Sequence, residues 1–191
     1  MSSTNRGTVR QPDDYYATPA WATRAILPHL RQPKTVLDPF AGTGAILREV
    51  RTWDEHVTAN GIELDADRAK ECKLITPFTF VCDAFTLEWP QQDLILTNPP
   101  YSFALQSVQR ATKYLTEWGT GQAAFLLRLA FLESKERNAF LRHRMPDKIK
   151  VLPRRPAFVN GKTDSCAYAW FVWGPEAHGE AAELSVLEVG K

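Results

Sequence analysis

The chain has 191 residues, 44% apolar and 24% charged, the balance of one folded domain rather than of a disordered tail, a coiled coil or a collagen-like repeat. Twenty-three Lys and Arg against 22 Asp and Glu leave a net charge of +1, so no global field marks a nucleic-acid partner. No apolar run approaches the ~20 residues of a membrane span, the N-terminus lacks the apolar core of a secretory signal, and Cys72, Cys82 and Cys166 form no CxxC pair, so a cytoplasmic protein without a metal site or disulfide framework is expected.

Residues 1–14 are polar and aperiodic and are expected to form a flexible arm, residues 15–175 a single domain, and residues 176–191 a tail or an edge strand. Thr18 is expected as the N-cap and Pro19 as the first residue of a helix with apolar Trp21, Ala22, Ala25, Ile26 and Leu30. Residues 34–38 read as a strand, 44–53 as a helix, 57–64 as a strand and 65–74 as a charged amphipathic helix. Two more strands follow at 78–82 and 93–97, then a helix over 102–118 with Phe103, Leu105, Val108, Ala111 and Leu115 on one face. Residues 122–127 read as a strand, 133–143 as a helix, 148–152 as a strand, and 166–173 as a last long strand. Strands alternating with helices predict a mostly parallel sheet with helices on both faces, and the fully apolar strands agree, because such a sheet is covered on both sides.

Asp38-Pro39-Phe40-Ala41-Gly42-Thr43-Gly44 lies between the first strand and the next helix, on the edge where open α/β sheets bind ligands. Its glycines let the backbone pass close under a ligand, and the helix start offers unpaired N–H groups. It is not a GxGxxG fingerprint, because Leu47 stands at the third glycine position, nor a P-loop. A tight turn without a ligand uses the same two glycines, and both readings stay open. Glu63 ends the next strand, where an acid can accept from both hydroxyls of a ribose; a solvated acid before a helix is the alternative, a role Asp65 and Asp67 fill better. Asp83 ends the strand after that, where it can accept from an exocyclic amine or cap a turn. Three acids at three successive strand ends outline an adenosine-shaped site.

Asn98-Pro99-Pro100-Tyr101 follows the strand at 93–97. Two prolines fix φ and remove two donors, leaving carbonyls free, while Asn98 adds a side-chain carbonyl and Tyr101 a flat aromatic face. Acceptors converging beside an aromatic platform suit a planar group that bears an NH2.

In these elements the chain resembles the class I S-adenosylmethionine-dependent methyltransferases of the amino-methylating branch, above all the N6-adenine DNA methyltransferases. Asn98 to Tyr101 matches the branch's Asn-Pro-Pro-Tyr element, and Asp38 to Gly44 its Asp-Pro-Phe-x-Gly-x-Gly loop. Tyr16-Ala17-Thr18-Pro19 is similar to the Tyr-Thr-Pro element set against the methionine end of the cofactor. The resemblance covers residues 15–173 and implies a Rossmann-like α/β sandwich with a seven-stranded sheet whose last strand is antiparallel. It also implies S-adenosylmethionine as cofactor, held by Tyr16, Thr18, Pro19, Asp38, Phe40, Ala41, Gly42, Gly44, Glu63 (ribose), Asp83 (adenine), Ala84 and Asn98. Asn98 and the Pro99 carbonyl would accept from the target amine, and Tyr101, beside Pro100, would stack on the target base. Phe158 matches the second aromatic that covers the other face of the base. An exocyclic nitrogen lone pair is delocalised into the ring, and two acceptors on its hydrogens localise it toward the methyl donor. In a duplex the base must first be flipped out. Methylation at C5 of cytosine is excluded, since none of the cysteines follows a proline, the usual setting of its nucleophile. Small solitary enzymes of phages and prophages share this economy of length, which points to a mobile-element origin.

From Arg128 to Lys162 ten Lys and Arg face three acids, a net +7 in a chain whose total is +1, so the remainder carries −6. Arg154, Arg155 and Lys162 bracket Phe158 and are the expected DNA contacts, whereas residues 137, 142 and 144 suit a solvated helix face. No separate target-recognition domain is expected, and specificity is expected to be short or relaxed, or to come from a second copy or another partner. Of the six tryptophans only Trp21 is a candidate neighbour of the cofactor; the rest, and the four histidines, are expected to be structural. The rival substrates are adenine in RNA, a protein glutamine amide and N4 of cytosine, and the rival class is a non-catalytic nucleic-acid-binding subunit.

Overall fold

The stretches with helical and with strand periodicity become a layered structure in chain order. The computed structural model describes residues 16–159, 162–163, 165–176 and 181–188; the arm expected over residues 1–14 and part of the C-terminal segment lie outside them. α1 (Ala20–Ile26) precedes β1 (Thr35–Asp38), α2 (Ala45–Trp53), β2 (Thr58–Glu63), α3 (Ala66–Lys73) and β3 (Thr79–Val81). Next come β4 (Leu94–Thr97), α4 (Ala104–Trp118), β5 (Gln122–Arg128), α5 (Lys135–Leu141) and β6 (Lys148–Val151). A hairpin of β7 (Ala157–Val159) and β8 (Lys162–Thr163), then β9 (Tyr168–Trp173) and β10 (Glu183–Val186), complete the described elements.

The main sheet runs β10-β6-β9-β5-β4-β1-β2-β3. β9 is antiparallel to β5 and β6, and every other neighbouring pair is parallel. The sheet has eight strands, where seven were expected. The segment at 166–173 supplies the antiparallel strand as expected, but it is not the last, because β10 continues the sheet parallel to β6. A buried lysine explains the addition. Lys150 of β6 is 5% exposed, and β10 supplies its partners, the Glu183 carboxylate and Ser185 Oγ.

Successive residues of the central strands feed two separate cores. Ala124, Leu126, Trp170 and Val172 face α1 and α2, while Ala123, Phe125, Leu127, Phe171 and Trp173 face α4 and α5. Trp170 Nε1 donates to the Ala22 carbonyl at 2.9 Å and Trp173 Nε1 to the Arg144 carbonyl at 3.1 Å, so each buried indole satisfies its polar atom while covering apolar area. β1 lies between β2 and β4, so the chain leaves its carboxyl end in one direction and later returns on the other side. The crevice at such a reversal is where open α/β sheets bind ligands.

Local differences from the sequence pattern have physical causes. Pro19, with ψ 135°, occupies the N-cap of α1 instead of its first turn, and Thr18 does not cap the helix because its hydroxyl is engaged by Asn98. α4 begins at Ala104 after a 3-10 turn over Tyr101–Phe103, and Phe103 is 47% exposed rather than part of the buried face, which Ala104, Val108, Ala111 and Leu115 form. α5 is shortened because Leu129–Leu132 form another 3-10 turn and Ser134 caps the helix on the Arg137 amide. The β7–β8 hairpin lies where the sequence reads as a loop, and its strands are too short to show alternation.

Candidate active site

The site is assembled at the carboxyl ends of β1, β2, β3 and β4. Asp38 ends β1 at 1% exposure, and its Oδ1 accepts from Thr97 Oγ1 at 2.6 Å and the Phe40 amide at 3.1 Å. Burial pushes its carboxyl up to about 7; the two hydrogen bonds oppose the shift and the nearby Glu63 charge adds to it. Glu63, at the end of β2, is 6% exposed. Its Oε2 accepts from the Gly42 amide at 2.7 Å, its Oε1 from the Asp65 amide at 2.8 Å, and Arg68 Nε stands 3.3 Å from Oε1. This one carboxylate thus ties the glycine loop to the start of α3. Asp83 follows β3, exposed, and accepts from the Phe85 amide at 2.8 Å.

The two loop glycines serve different ends. Gly42 (φ 55°) presents its amide to Glu63. Gly44 (φ 81°) takes the left-handed conformation ahead of α2, where a Cβ would stand 2.6 Å from Ile75 Cδ1 and 3.1 Å from Cys72 Sγ. Its missing side chain therefore lets the loop close on α3.

These strand ends surround a cavity of about 630 Å³. Of the residues singled out in the sequence, Tyr16, Thr18, Asp38, Phe40, Ala41, Glu63, Asp83, Ala84, Asn98 and Pro100 line it. Pro19, Gly42, Gly44, Pro99, Tyr101, Phe158, Arg154 and Arg155 do not. Ser102 and Phe103 in the 3-10 turn before α4, Gln106 in its first turn, and Phe85 and Arg68 also line the cavity and were not legible as site residues. Phe40, Phe85 and Phe103 form a run of tilted rings at 5.7 and 5.6 Å on that side of the cavity. The one signal for Phe85 was its place two residues beyond Asp83.

Asn98 follows β4, and its amide is oriented by two acceptors from the segment before α1. Nδ2 donates to the Tyr16 carbonyl at 3.2 Å and to Thr18 Oγ1 at 3.1 Å. Both amide hydrogens are then used, and the carbonyl Oδ1 is left buried with no hydrogen-bond partner among the described residues. A buried acceptor without a donor costs free energy, roughly 1–3 kcal/mol, and here it sits in a residue that lines the cavity.

Beside Asn98 stands an aromatic group. The Tyr101 and Tyr168 hydroxyls share a hydrogen bond of 2.8 Å, Arg128 Nε donates to the Tyr168 hydroxyl at 3.0 Å, and the Arg128 guanidinium lies 4.1 Å over the Tyr101 ring. Phe158, on β7, meets Tyr168 edge-on at 5.2 Å. Tyr168 and Arg128 were not singled out as site residues in the sequence, where Tyr168 reads as part of the last apolar strand and Arg128 as the first residue of the basic segment.

The basic segment divides. Arg144 is buried rather than solvated and donates to the Gly174 carbonyl at 2.7 Å, Lys150 is consumed by β10, and Arg137 donates to the Phe131 and Ala130 carbonyls at 2.8 and 3.0 Å. Arg155 is exposed, Arg154 lies 4.6 Å over the Trp21 ring, and Lys162 belongs to the β7–β8 hairpin. Trp21 thus pairs with Arg154 and does not line the cavity.

No protein-family model matches the chain, and no curated protein matches it either. Solved structures do resemble it. A candidate class I S-adenosylmethionine-dependent methyltransferase from Listeria monocytogenes superposes with a TM-score of 0.60 at 14% identity, over 88% of this chain and 62% of that protein. A candidate RNA methyltransferase from Pyrococcus horikoshii gives 0.60 at 12% identity, over 89% of this chain and 92% of the other. The M protein of the type I restriction enzyme EcoKI gives 0.57 at 16% identity, over 80% of this chain and 41% of that protein. The chain thus spans less than two thirds of the Listeria and EcoKI proteins. The shared property is the fold, a Rossmann-like α/β sandwich of the class I methyltransferase type.

Proposed function

We propose that this protein transfers a methyl group from S-adenosylmethionine to the exocyclic N6 amine of adenine in DNA. The observation that carries the reading is the buried, unpartnered Asn98 Oδ1 in a residue that lines a cavity of about 630 Å³ at the strand ends. That acceptor has its orientation fixed before any substrate binds, so it costs no reorganisation when an amine arrives. Glu63 and Asp83 also line the cavity, where their oxygens offer acceptors to a cofactor that bears ribose hydroxyls and amines. Glu63 would take the ribose, Asp83 the adenine amine, and the aromatic run of Phe40, Phe85 and Phe103 the adenine faces. When bound, S-adenosylmethionine supplies an electrophilic methyl group, and the chain supplies orientation and electrostatics.

On the target side Asn98 Oδ1 would accept one amine hydrogen and the Pro99 carbonyl the other, directing the nitrogen lone pair toward the cavity. Tyr101 and Phe158 would hold the flipped base by stacking, which offsets the few kcal/mol of unpairing. Arg154, Arg155 and Lys162, on the chain flanking Phe158, would contact phosphates. A second copy or another partner would complete site recognition.

The test is transfer of labelled methyl from S-adenosylmethionine to unmethylated duplex DNA, with digestion to nucleosides and Asn98→Ala as the control. N6-methyladenine that disappears in the variant supports the reading. Transfer to RNA, to a glutamine-containing protein or to cytosine N4 instead would keep the chemistry and replace the substrate. Cofactor binding with no transfer to any of them would favour a non-catalytic subunit.

A further inference from the structure

Four aromatic rings close on one another beside Asn98. Tyr16 stacks on Tyr101 with centroids 5.7 Å apart and planes at 23°, and it lies 5.8 Å from Phe158. Tyr168 completes the circle, 6.2 Å from Tyr101 and 5.2 Å from Phe158. Tyr16 is therefore the ring that bridges the two aromatics between which the proposed function places the target base.

We infer that the Tyr16 ring fills the target-base slot in the free protein, and that an incoming purine must displace it to stack on Tyr101. The inference rests on reading Tyr101 and Phe158 as the base platform. The other members of the circle are anchored. Tyr168 is 1% exposed on β9, is paired across the sheet with Arg128, and shares its hydroxyl with both Arg128 and Tyr101. Arg128 is held in turn against the Tyr101 ring. Tyr16 lies outside any helix or strand, and its hydroxyl has no hydrogen-bond partner among the described residues.

The ring can leave without disturbing the acceptor. The Tyr16 group that orients Asn98 is its backbone carbonyl, 3.2 Å from Nδ2, so rotation about the side-chain torsions vacates the slot while Oδ1 stays aimed. A phenol and a purine are equally thick, so the exchange replaces one set of aromatic stacking contacts by another. Tyr16 also lines the cofactor cavity. One side chain thus borders both substrate positions, and its displacement couples occupation of one to access to the other.

The experiment titrates 2-aminopurine deoxyriboside, whose fluorescence is quenched by stacking, into the full chain in the presence of S-adenosylhomocysteine. Wild type is compared with Tyr16→Ala, Tyr16→Phe and the double variant Tyr16→Ala/Phe158→Ala, each checked for an unchanged melting transition. Two aromatic pairs are together worth roughly tenfold in a binding constant, so Tyr16→Ala is expected to bind the probe about that much more tightly than wild type. Tyr16→Phe should match wild type, because the ring and not the hydroxyl fills the slot, and the double variant should lose the gain. Equal or weaker binding by Tyr16→Ala overturns the inference and leaves the platform standing. Absence of probe binding in every variant overturns the platform and the inference together. Methyl transfer to DNA, measured in parallel, reports separately: a wild type that transfers nothing while Tyr16→Ala binds the probe tightly counts against the substrate reading alone.

Discussion

Thr18 Oγ1 accepts a hydrogen bond from Asn98 Nδ2 at 3.1 Å across 80 residues of chain, and this contact helps decide which end of the Asn98 amide faces the cavity. The Tyr16 carbonyl takes the second hydrogen at 3.2 Å. An asparagine carbonyl is an acceptor only on the side to which the nitrogen is not directed. The segment before α1 therefore sets the polarity of the site, although it contributes no charge to it.

Removing that hydroxyl tests the arrangement. Thr18→Val keeps the shape but leaves Nδ2 one acceptor, so the amide gains freedom to turn. A net hydrogen bond is worth about 1 kcal/mol, and kcat for methyl transfer is expected to fall roughly five- to tenfold. Thr18→Ser should restore most of it. Steady-state kinetics on the two variants make the comparison, and a loss confined to the KM for S-adenosylmethionine would argue that Thr18 serves only as a cavity wall.

Asn98→Ala removes the oriented acceptor itself. Loss of one preorganised polar group at a reacting centre typically costs ~10²–10³ in kcat, and a drop of that order is expected. Calorimetric titration with S-adenosylmethionine should show affinity reduced far less than turnover. The fold should be retained, since the deleted carbonyl has no donor among the described residues and its loss relieves a buried unsatisfied group.

Asp38 predicts a pH dependence of stability. Its carboxyl is raised by burial from 3.8 to about 7 in the folded state. Between those two values the folded chain holds a proton that the unfolded chain has released. Stability from this residue is therefore greatest at low pH, declines as pH rises from about 4, and levels off above about 7. Asp38→Asn can keep an acceptor for Thr97 and the Phe40 amide without the charge. The stability of the variant relative to wild type should rise through that window, by on the order of 3 kcal/mol. Urea denaturation of both proteins at pH 5 and pH 8 gives the difference, and a difference that does not change with pH would refute it.

Gly44 makes a prediction about packing instead of chemistry. With φ at 81° and a would-be Cβ 2.6 Å from Ile75 Cδ1, Gly44→Ala forces both a strained backbone and a displaced neighbour. A loss of roughly 2–3 kcal/mol in unfolding free energy is expected. Denaturant unfolding would reveal it, and Ile75→Ala in the same chain should recover the steric part while the φ penalty remains.

The parts of the fold that could be read from the sequence are those governed by neighbours in the chain. The strand at β4 and the turn Asn98-Pro99-Pro100-Tyr101 announce themselves because an apolar run and two fixed φ angles act locally. Asp38, Glu63 and Asp83 could be placed at strand ends for the same reason. The β7–β8 hairpin could not, because its two- and three-residue strands exist only through pairing with each other, and for the segment that forms β10 the sequence left a tail and an edge strand both open, since pairing with β6 decides between them. The basic residues illustrate the limit most plainly. Arg137 and Arg144 read as a solvated helix face, yet both donate to backbone carbonyls, and Lys150, counted in the basic segment, is held by β10.

Composition, periodicity and turn chemistry thus determine that this chain builds a two-sided, mostly parallel sheet and gathers three acids and an Asn-Pro-Pro-Tyr turn on one edge. Tertiary structure alone decides that Thr18 orients Asn98 instead of capping α1, and that Tyr16 stacks on Tyr101. It also decides that Gly44 serves the contact with α3. These are contacts between residues far apart in the chain, and no local dihedral preference encodes them. They follow only once β1, β4, β5 and β9 have joined one sheet, because a hydrogen bond or a ring contact acts over a few ångströms and cannot be specified before its partners meet.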